Sequence, residues 1–233
     1  MSTISYELRD PVAVLTMDDG KVNAMAMPFF DDLNAALDRA EREKPKAVVV
    51  TGRAGAFSAG LNLKVLPTLP PDELSRTLTT FGRTLVRWFT FPVPTVAAVT
   101  GHAIAGGAFL MMACDLRYVA EGPWKIHANE VAIGLVLPTW AMTIAESAIP
   151  PRFHTEALLH ARPYLPDEAF ERHIIHGVVR PAERVLDVAL EAAAPLAALD
   201  QASYAASKRR QRAMRVEWAS RLIDEEMVAL PKR

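Results

Sequence analysis

From Trp88 to Cys114 no side chain carries a formal charge. A stretch this long has to be taken out of water, either by lipid or by the core of the protein itself. Its punctuation decides between the two. Pro92, Pro94, Gly101, Gly106 and Gly107 interrupt any single helix, and His102 lies near the middle. A lipid-facing helix has no water to satisfy the backbone groups that such breaks leave open. The segment therefore reads as a buried strand, a glycine turn and a buried helix, and no membrane partner is expected.

The same rhythm runs through the rest of the chain. Val12 to Met17 reads as a strand. Met27 to Lys44 reads as a helix, with Pro28 in its first turn and an apolar stripe of Phe29, Leu33, Ala36, Leu37 and Ala40. Lys46 to Thr51 is a short β-branched run ending at Gly52, and Val96 to Val99 is similar. Ala108 to Ala113 begins a buried helix, and Leu116 to Ala120 is a further strand. Strands alternating with helices predict an α/β fold with mostly parallel pairing. No G-x-G-x-x-G directly follows a strand and no P-loop lysine motif occurs, so neither nucleotide fingerprint is present.

Length and charge narrow the function. A chain of 233 residues suits one domain with an appendage. The composition shifts near Glu183 to alanine-rich helix and then to a basic cluster, Lys208, Arg209, Arg210, Arg212 and Arg215. The division expected is 1–182 for the core and 183–233 for a helical region, with the basic cluster as a solvated face. With 26 basic and 27 acidic side chains, a face able to neutralise phosphates is not expected, and neither is a nucleic-acid partner. The single cysteine, Cys114, cannot form an internal disulfide, which suits a reducing, cytoplasmic location. The opening MSTISYELRD lacks the basic and apolar blocks of a signal peptide.

Three stretches can carry chemistry. The first is Ala56-Phe57-Ser58-Ala59-Gly60-Leu61-Asn62-Leu63-Lys64, after the KAVVVTG strand. Small residues at 58 to 60 let a ligand approach the backbone, though an ordinary glycine turn looks the same. A serine nucleophile elbow needs glycine where Ala56 stands, so that motif is broken. The second is Gly101-His102-Ala103-Ile104-Ala105-Gly106-Gly107-Ala108-Phe109, which follows a strand and opens a helix. Free N–H groups at a helix start can point at an anion, although paired glycines also serve tight packing. Leu61 and Gly106 each follow a strand at its carboxyl end, where ligand crevices form in open α/β sheets. Two N–H groups meeting there would make an oxyanion hole. The third is His127-Ala128-Asn129-Glu130 and the apolar run to Pro138. Glu130 is the only acid between Glu121 and Glu146. In apolar surroundings its charged form is disfavoured, which moves it toward general-base range; a surface glutamate is the plain alternative.

In this order and spacing, and with Asp19-Gly20-Lys21-Val22-Asn23-Ala24-Met25 near the start, these stretches resemble the enoyl-CoA hydratase/isomerase (crotonase) superfamily over about residues 5 to 205. The resemblance implies an α/β, crotonase-like (ClpP/crotonase) spiral of repeated ββα units with a C-terminal helical region. It implies homotrimers or hexamers (dimers of trimers) and an acyl-CoA thioester substrate, with coenzyme A arriving as part of the substrate and no further cofactor. Carried over residue by residue, the oxyanion-hole amides fall on Leu61 and Gly106. CoA would lie along Val22, Ala24, Ser58, Ala59 and Gly60, with Lys21 near its phosphates. Glu130 falls on the second of two hydratase glutamates, and the first is replaced by Phe109.

That replacement shapes the chemistry expected. Adding water across a double bond needs groups to activate water and to protonate carbon, which two carboxylates do readily. Moving one proton between the α and γ carbons of an enoyl thioester needs only one. Asn129-Glu130 with Pro138-Thr139-Trp140 also resembles the single-glutamate Δ3,Δ2-enoyl-CoA isomerases. Isomerisation is therefore the leading expectation and hydration the alternative. A non-catalytic acyl-CoA-binding protein on the same fold and a serine hydrolase using Ser58 stay open. His102 and His127 read as structural, Glu146 as solvated or at an interface. His154, His160, His173 and His176 lack partners for a metal set.

Overall fold

The structure, a computed structural model, describes residues 2–227. Strands β1 (Ile4–Arg9), β2 (Val12–Met17) and the short β3 (Ala24–Met25) lead into helix α1 (Met27–Glu43). Next come β4 (Ala47–Thr51), β5 (Gly55–Ser58), β6 (Gly60–Leu61) and α2 (Pro71–Phe89). The unit recurs as β7 (Thr95–Val99), β8 (Gly101–Ile104) and α3 (Gly106–Met112), then as β9 (Leu116–Ala120), β10 (Ile126–His127) and α4 (Thr139–Ala148). Helix α5 (Pro166–Glu171), strand β11 (Gly177–Val179) and helices α6 (Val185–Ala197) and α7 (Gln201–Glu226) follow. The long strands form one sheet in the order β1-β2-β4-β7-β9-β11, antiparallel at β1–β2 and parallel elsewhere. The short strands form two small parallel sheets, β10-β8-β5 and β3-β6. Each unit thus gives the main sheet one strand, a small sheet another, and then a helix: the ββα spiral expected.

Burial on both faces explains the uninterrupted apolar runs of β4 and β7. Val48, Val50, Ala97 and Val99 face the main core, which α1 to α4 complete. Ala47, Val49, Val96 and Ala98 face the other way and meet α6 through Val185, Ala189, Ala193 and Ala197. Alanines four apart make a flat stripe that lets the helix lie close to the sheet. The C-terminal helices are therefore built into the core: α6 covers a sheet face, and α7 packs against α4 and α2. Among the described residues no helix is long and apolar enough to cross a membrane.

The basic stretch differs from the solvated face expected of it. Arg209, Arg210 and Arg215 are exposed, but Lys208 and Arg212 turn inward onto Asp115. The Asp115 carboxylate accepts from Lys208 Nζ and Arg212 Nη2, each at 2.6 Å, and from Thr95 N–H at 2.8 Å and Thr95 Oγ1 at 3.0 Å. Burial pushes its pKa up, but the two cations and the Thr95 donors outweigh that and hold the carboxyl below its usual range. A buried charge with all its partners in place clamps α7 to the sheet, whereas one stripped of its partner is costly. Asp115→Ala is expected to cost about 3–5 kcal/mol in urea unfolding because it strands Lys208. Adding Lys208→Met should recover part of that loss; an unchanged midpoint for the single variant would show that the clamp does not hold α7.

Candidate active site

A cavity of about 550 Å³ opens where β6 and the start of α3 face α2, α4 and the end of α7. Ala59, Leu61, Ala105 and Gly106 line one side, and Leu78, Phe81, Phe109 and Trp140 form an apolar wall. Phe109 and Phe81 meet the Trp140 ring edge to face, with centroids 5.9 and 4.7 Å away. Asn129 and Glu130 enter from the loop after β10.

Backbone geometry supplies the donors. Successive N–H groups of a strand point to opposite sides. Asn62 N–H is spent on Met25 O of β3, at 2.8 Å, so Leu61 N–H points away from β3. Gly106 is the first residue of α3, and the first N–H groups of a helix have no partner within it. The residue before it, Ala105, is held at φ 49° and ψ −122°, an unfavourable conformation for a residue with a Cβ. That kink turns the chain sharply from β8 into α3. The two segments lie close together. A Cβ at position 60 would lie 2.7 Å from the Gly106 nitrogen, and the backbone at Gly60 has φ +77°, so only glycine fits. A Cβ at position 106 would lie 2.9 Å from Phe81 and 3.1 Å from the Met25 sulfur.

Glu130 is the uncommitted acid of the cavity. Its side chain is buried and its Oε2 has no hydrogen-bond partner among the described residues. Burial raises its pKa to about 7, only partly opposed by its own backbone N–H. Glu130 sits just before a 3-10 turn, Val131–Ile133, and accepts at its backbone O from Leu135 N–H at 2.8 Å. Neighbouring Asn129 also leaves a buried Oδ1 unbonded.

Of the residues expected at the site, Ala59, Leu61, Gly106, Phe109 and Glu130 line this one cavity. Lys21, Val22 and Ala24 lie outside it, on a loop tied to its rim. Ala59 N–H donates to Val22 O at 3.0 Å, and Ala24 pairs with Gly60. Ser58, expected against the ligand, is instead fully buried beneath it. Its hydroxyl donates to Asn23 O at 2.7 Å and accepts from Gly60 N–H at 3.1 Å. Those two bonds consume the hydroxyl, so Ser58 serves neither as nucleophile nor as a direct contact. Glu146 does not reach the cavity; it lines a cleft on another side of α4. His102 accepts from Lys125 N–H and His127 bonds Ala161 O, both structural roles.

Three features escaped the sequence reading. Asn23, at φ 53°, donates from its buried amide to Met17 O and Phe57 O, which staples the loop to β2 and β5. Asp19 accepts from the N–H groups of Lys21, Asn23 and Ala24 and so shapes the same loop. Both lay in the quoted DGKVNAM run, where an Asp and an Asn around a glycine already signalled a turn. The third, Glu226, lines the cavity from the end of α7. Its carboxylate accepts from Thr139 N–H at 2.7 Å and from Thr139 Oγ1 at 2.5 Å, capping the first turn of α4. No local pattern marks it, because its partner lies 87 residues away.

The comparisons with known proteins agree with this fold. The model of the enoyl-CoA hydratase/isomerase family matches residues 7–228. The chain is 30% identical over 217 residues to the human mitochondrial enoyl-CoA delta isomerase 1, covering 92% of this chain and 70% of that protein. It is 33% identical over 138 residues to a probable enoyl-CoA hydratase of Bacillus subtilis, covering 58% of this chain and 53% of that one. This chain thus spans little more than half the length of the second relative. Among solved structures, an apo enoyl-CoA isomerase of Mycobacterium tuberculosis superposes with a TM-score of 0.89 at 36% identity, covering 97% of both chains. With the ββα spiral and a family match over nearly its whole length, the chain belongs to the enoyl-CoA hydratase/isomerase (crotonase) family.

Proposed function

We propose that this chain is an acyl-CoA enzyme whose principal reaction is Δ3,Δ2-enoyl-CoA isomerisation. The observation that carries the reading is one uncommitted carboxylate, Glu130, in an apolar cavity shared with the Leu61 and Gly106 amides. Glu130 takes a proton from the α carbon of a 3-enoyl thioester. The electron pair moves onto the thioester oxygen and the γ carbon, and the dienolate oxygen accepts from the two amides. Donors fixed in advance need no reorganisation as that charge develops, and each contributes about 3–4 kcal/mol. The protonated Glu130 then returns its proton to the γ carbon, leaving the 2-enoyl product and a carboxylate ready for another cycle.

Phe109 supports isomerisation over hydration, since it puts a ring against Trp140 and no acid to hold water. Hydration is the second reading, favoured by Glu226 as another carboxylate on the cavity wall. Both oxygens of Glu226, however, are committed to Thr139. The exposed loop at Lys21 and Val22, tied to Ala59, suits the CoA portion, with Lys21 toward its phosphates. We also infer assembly as a homotrimer or dimer of trimers. Met214 and Trp218, exposed and four residues apart on α7, offer an apolar ridge for subunit contact.

Product analysis by mass and double-bond position, after incubation with 3-enoyl-CoA and 2-enoyl-CoA, tests the assignment. The parent should interconvert the two, and Glu130→Gln should lose about 10²–10⁴-fold in kcat. Turnover by Glu130→Gln at the parental rate would remove Glu130 as the proton carrier. If the parent binds acyl-CoA esters yet stays inert, a binding protein on this fold is the better account.

The pH dependence should report the same carboxyl. Because the base must be ionised, kcat/KM should rise through an apparent pKa of about 7 rather than the ordinary 4.5. Stability should run the other way. A carboxyl whose pKa is raised on folding contributes stability below about 4.5, and that contribution is lost as pH climbs through about 7. At pH 8 Glu130→Gln should therefore melt above the parent, and the gap should close toward pH 5.

Phe109→Glu places a second carboxyl on the wall. The ratio of hydrated to isomerised product should increase, followed by chromatography alongside a melting curve. A fall in both activities with an unchanged melting temperature would contradict the assigned geometry.

A further inference from the structure

A second cleft, of about 570 Å³, lies on the far side of α4 from the isomerase cavity. Its floor includes Arg117 of β9, only 6% exposed. The Arg117 Nε donates to Ile174 O at 2.7 Å and its Nη1 to Cys114 O at 2.8 Å. Its Nη2 has no partner among the described residues, and no carboxylate comes within ion-pair distance of it there. The nearest candidate in sequence, Asp115, already spends both oxygens on Lys208, Arg212 and Thr95. Burial lowers the guanidinium to about 10, so it stays charged at neutral pH.

A buried cation with no carboxylate in ion-pair contact, only the more distant field of Asp115, is an expensive feature, and the reaction proposed for the other cavity makes no use of it. The rim of the cleft adds donors. Arg215 is exposed there, and the His176 Nδ1 accepts from Arg117 N–H at 3.1 Å. That bond requires a neutral ring with its proton on Nε2, which is thereby left as a donor. Against these stand two acids, the neutralised Asp115 and Glu146, with Arg212 also on the wall.

We propose that this cleft binds a small oxyanion, inorganic phosphate being the simplest, held by Arg117 from the floor and Arg215 and His176 from the rim. The planar guanidinium offers the fork that phosphate and carboxylate oxygens accept from. The site is separate from the acyl-CoA reaction, so its test does not depend on turnover.

Calorimetric titration of the intact protein with sodium phosphate, against sodium chloride of equal ionic strength, reads it directly. One saturable site per chain is expected, with a matching rise in melting temperature. Arg215→Gln should weaken binding about 5-fold and Arg117→Lys about 10-fold, since lysine keeps the charge but loses the fork. Lys21→Ala should bind phosphate like the parent, which separates this cleft from the loop assigned to CoA phosphates. Non-saturable heat, equal affinity in the parent and Arg215→Gln, or loss only in Lys21→Ala would each overturn the proposal. If Arg117→Lys fails to fold, the exposed Arg215 position decides alone. Were a carboxylate of a second copy the true occupant, the parent would take up no phosphate and Arg215→Gln would dissociate the assembly in sedimentation. That result also overturns it.

Discussion

The site is arranged around a close backbone approach between β6 and the start of α3. Nothing larger than hydrogen fits at Gly60, a side chain at Gly106 would press on Phe81 and Met25, and Ala105 holds an unfavourable backbone conformation to turn β8 into the helix. Such strain persists only where the surroundings over-determine it. Here they do. β3 pairs with β6, Asn23 and Ser58 bind the two loops together, and Phe81 and Met25 press on Gly106. The result is a tightly fixed backbone at Leu61 and Gly106, the two amides proposed to receive the thioester oxygen.

The acid in the cavity follows the opposite logic. The amides are stabilised by the packing around them, whereas Glu130 is penalised by it. Its burial without a partner lifts its pKa to about 7, so the carboxyl stands near half ionised at neutral pH. The apolar wall of Phe109, Phe81 and Trp140 that creates this penalty also leaves little to hold a nucleophilic water. One arrangement thus accounts for the raised pKa of the acid and for the apolar character of the wall beside it.

The C-terminal helices tie the site to the rest of the molecule. α6 covers the second face of the sheet, α7 is clamped by Asp115, and the end of α7 delivers Glu226 to cap α4. Because α4 also carries Trp140 into the cavity, a residue at the far end of the chain shapes a wall of the site. Helix α4 borders the oxyanion cleft as well, so one helix separates the two cavities.

Local pattern carried much of this in the sequence. β2 and β9 coincide with their apolar runs, and α1 ends at Glu43, one residue short of the expected Lys44, where the chain turns left-handed. The glycines at 60 and 106, and an acid isolated among apolar neighbours, were visible because their constraint acts on the backbone or side chain itself. The short strands β3, β6, β8 and β10 were not, since two to four residues hold no period. Nor was it visible that Ser58 faces inward, that Lys208 and Arg212 leave the solvated face, or that Glu226 rather than Glu146 reaches the cavity. Each of those depends on a partner far away in the chain. A side chain's environment is a property of the packed elements, and only the tertiary fold chooses which distant groups share it.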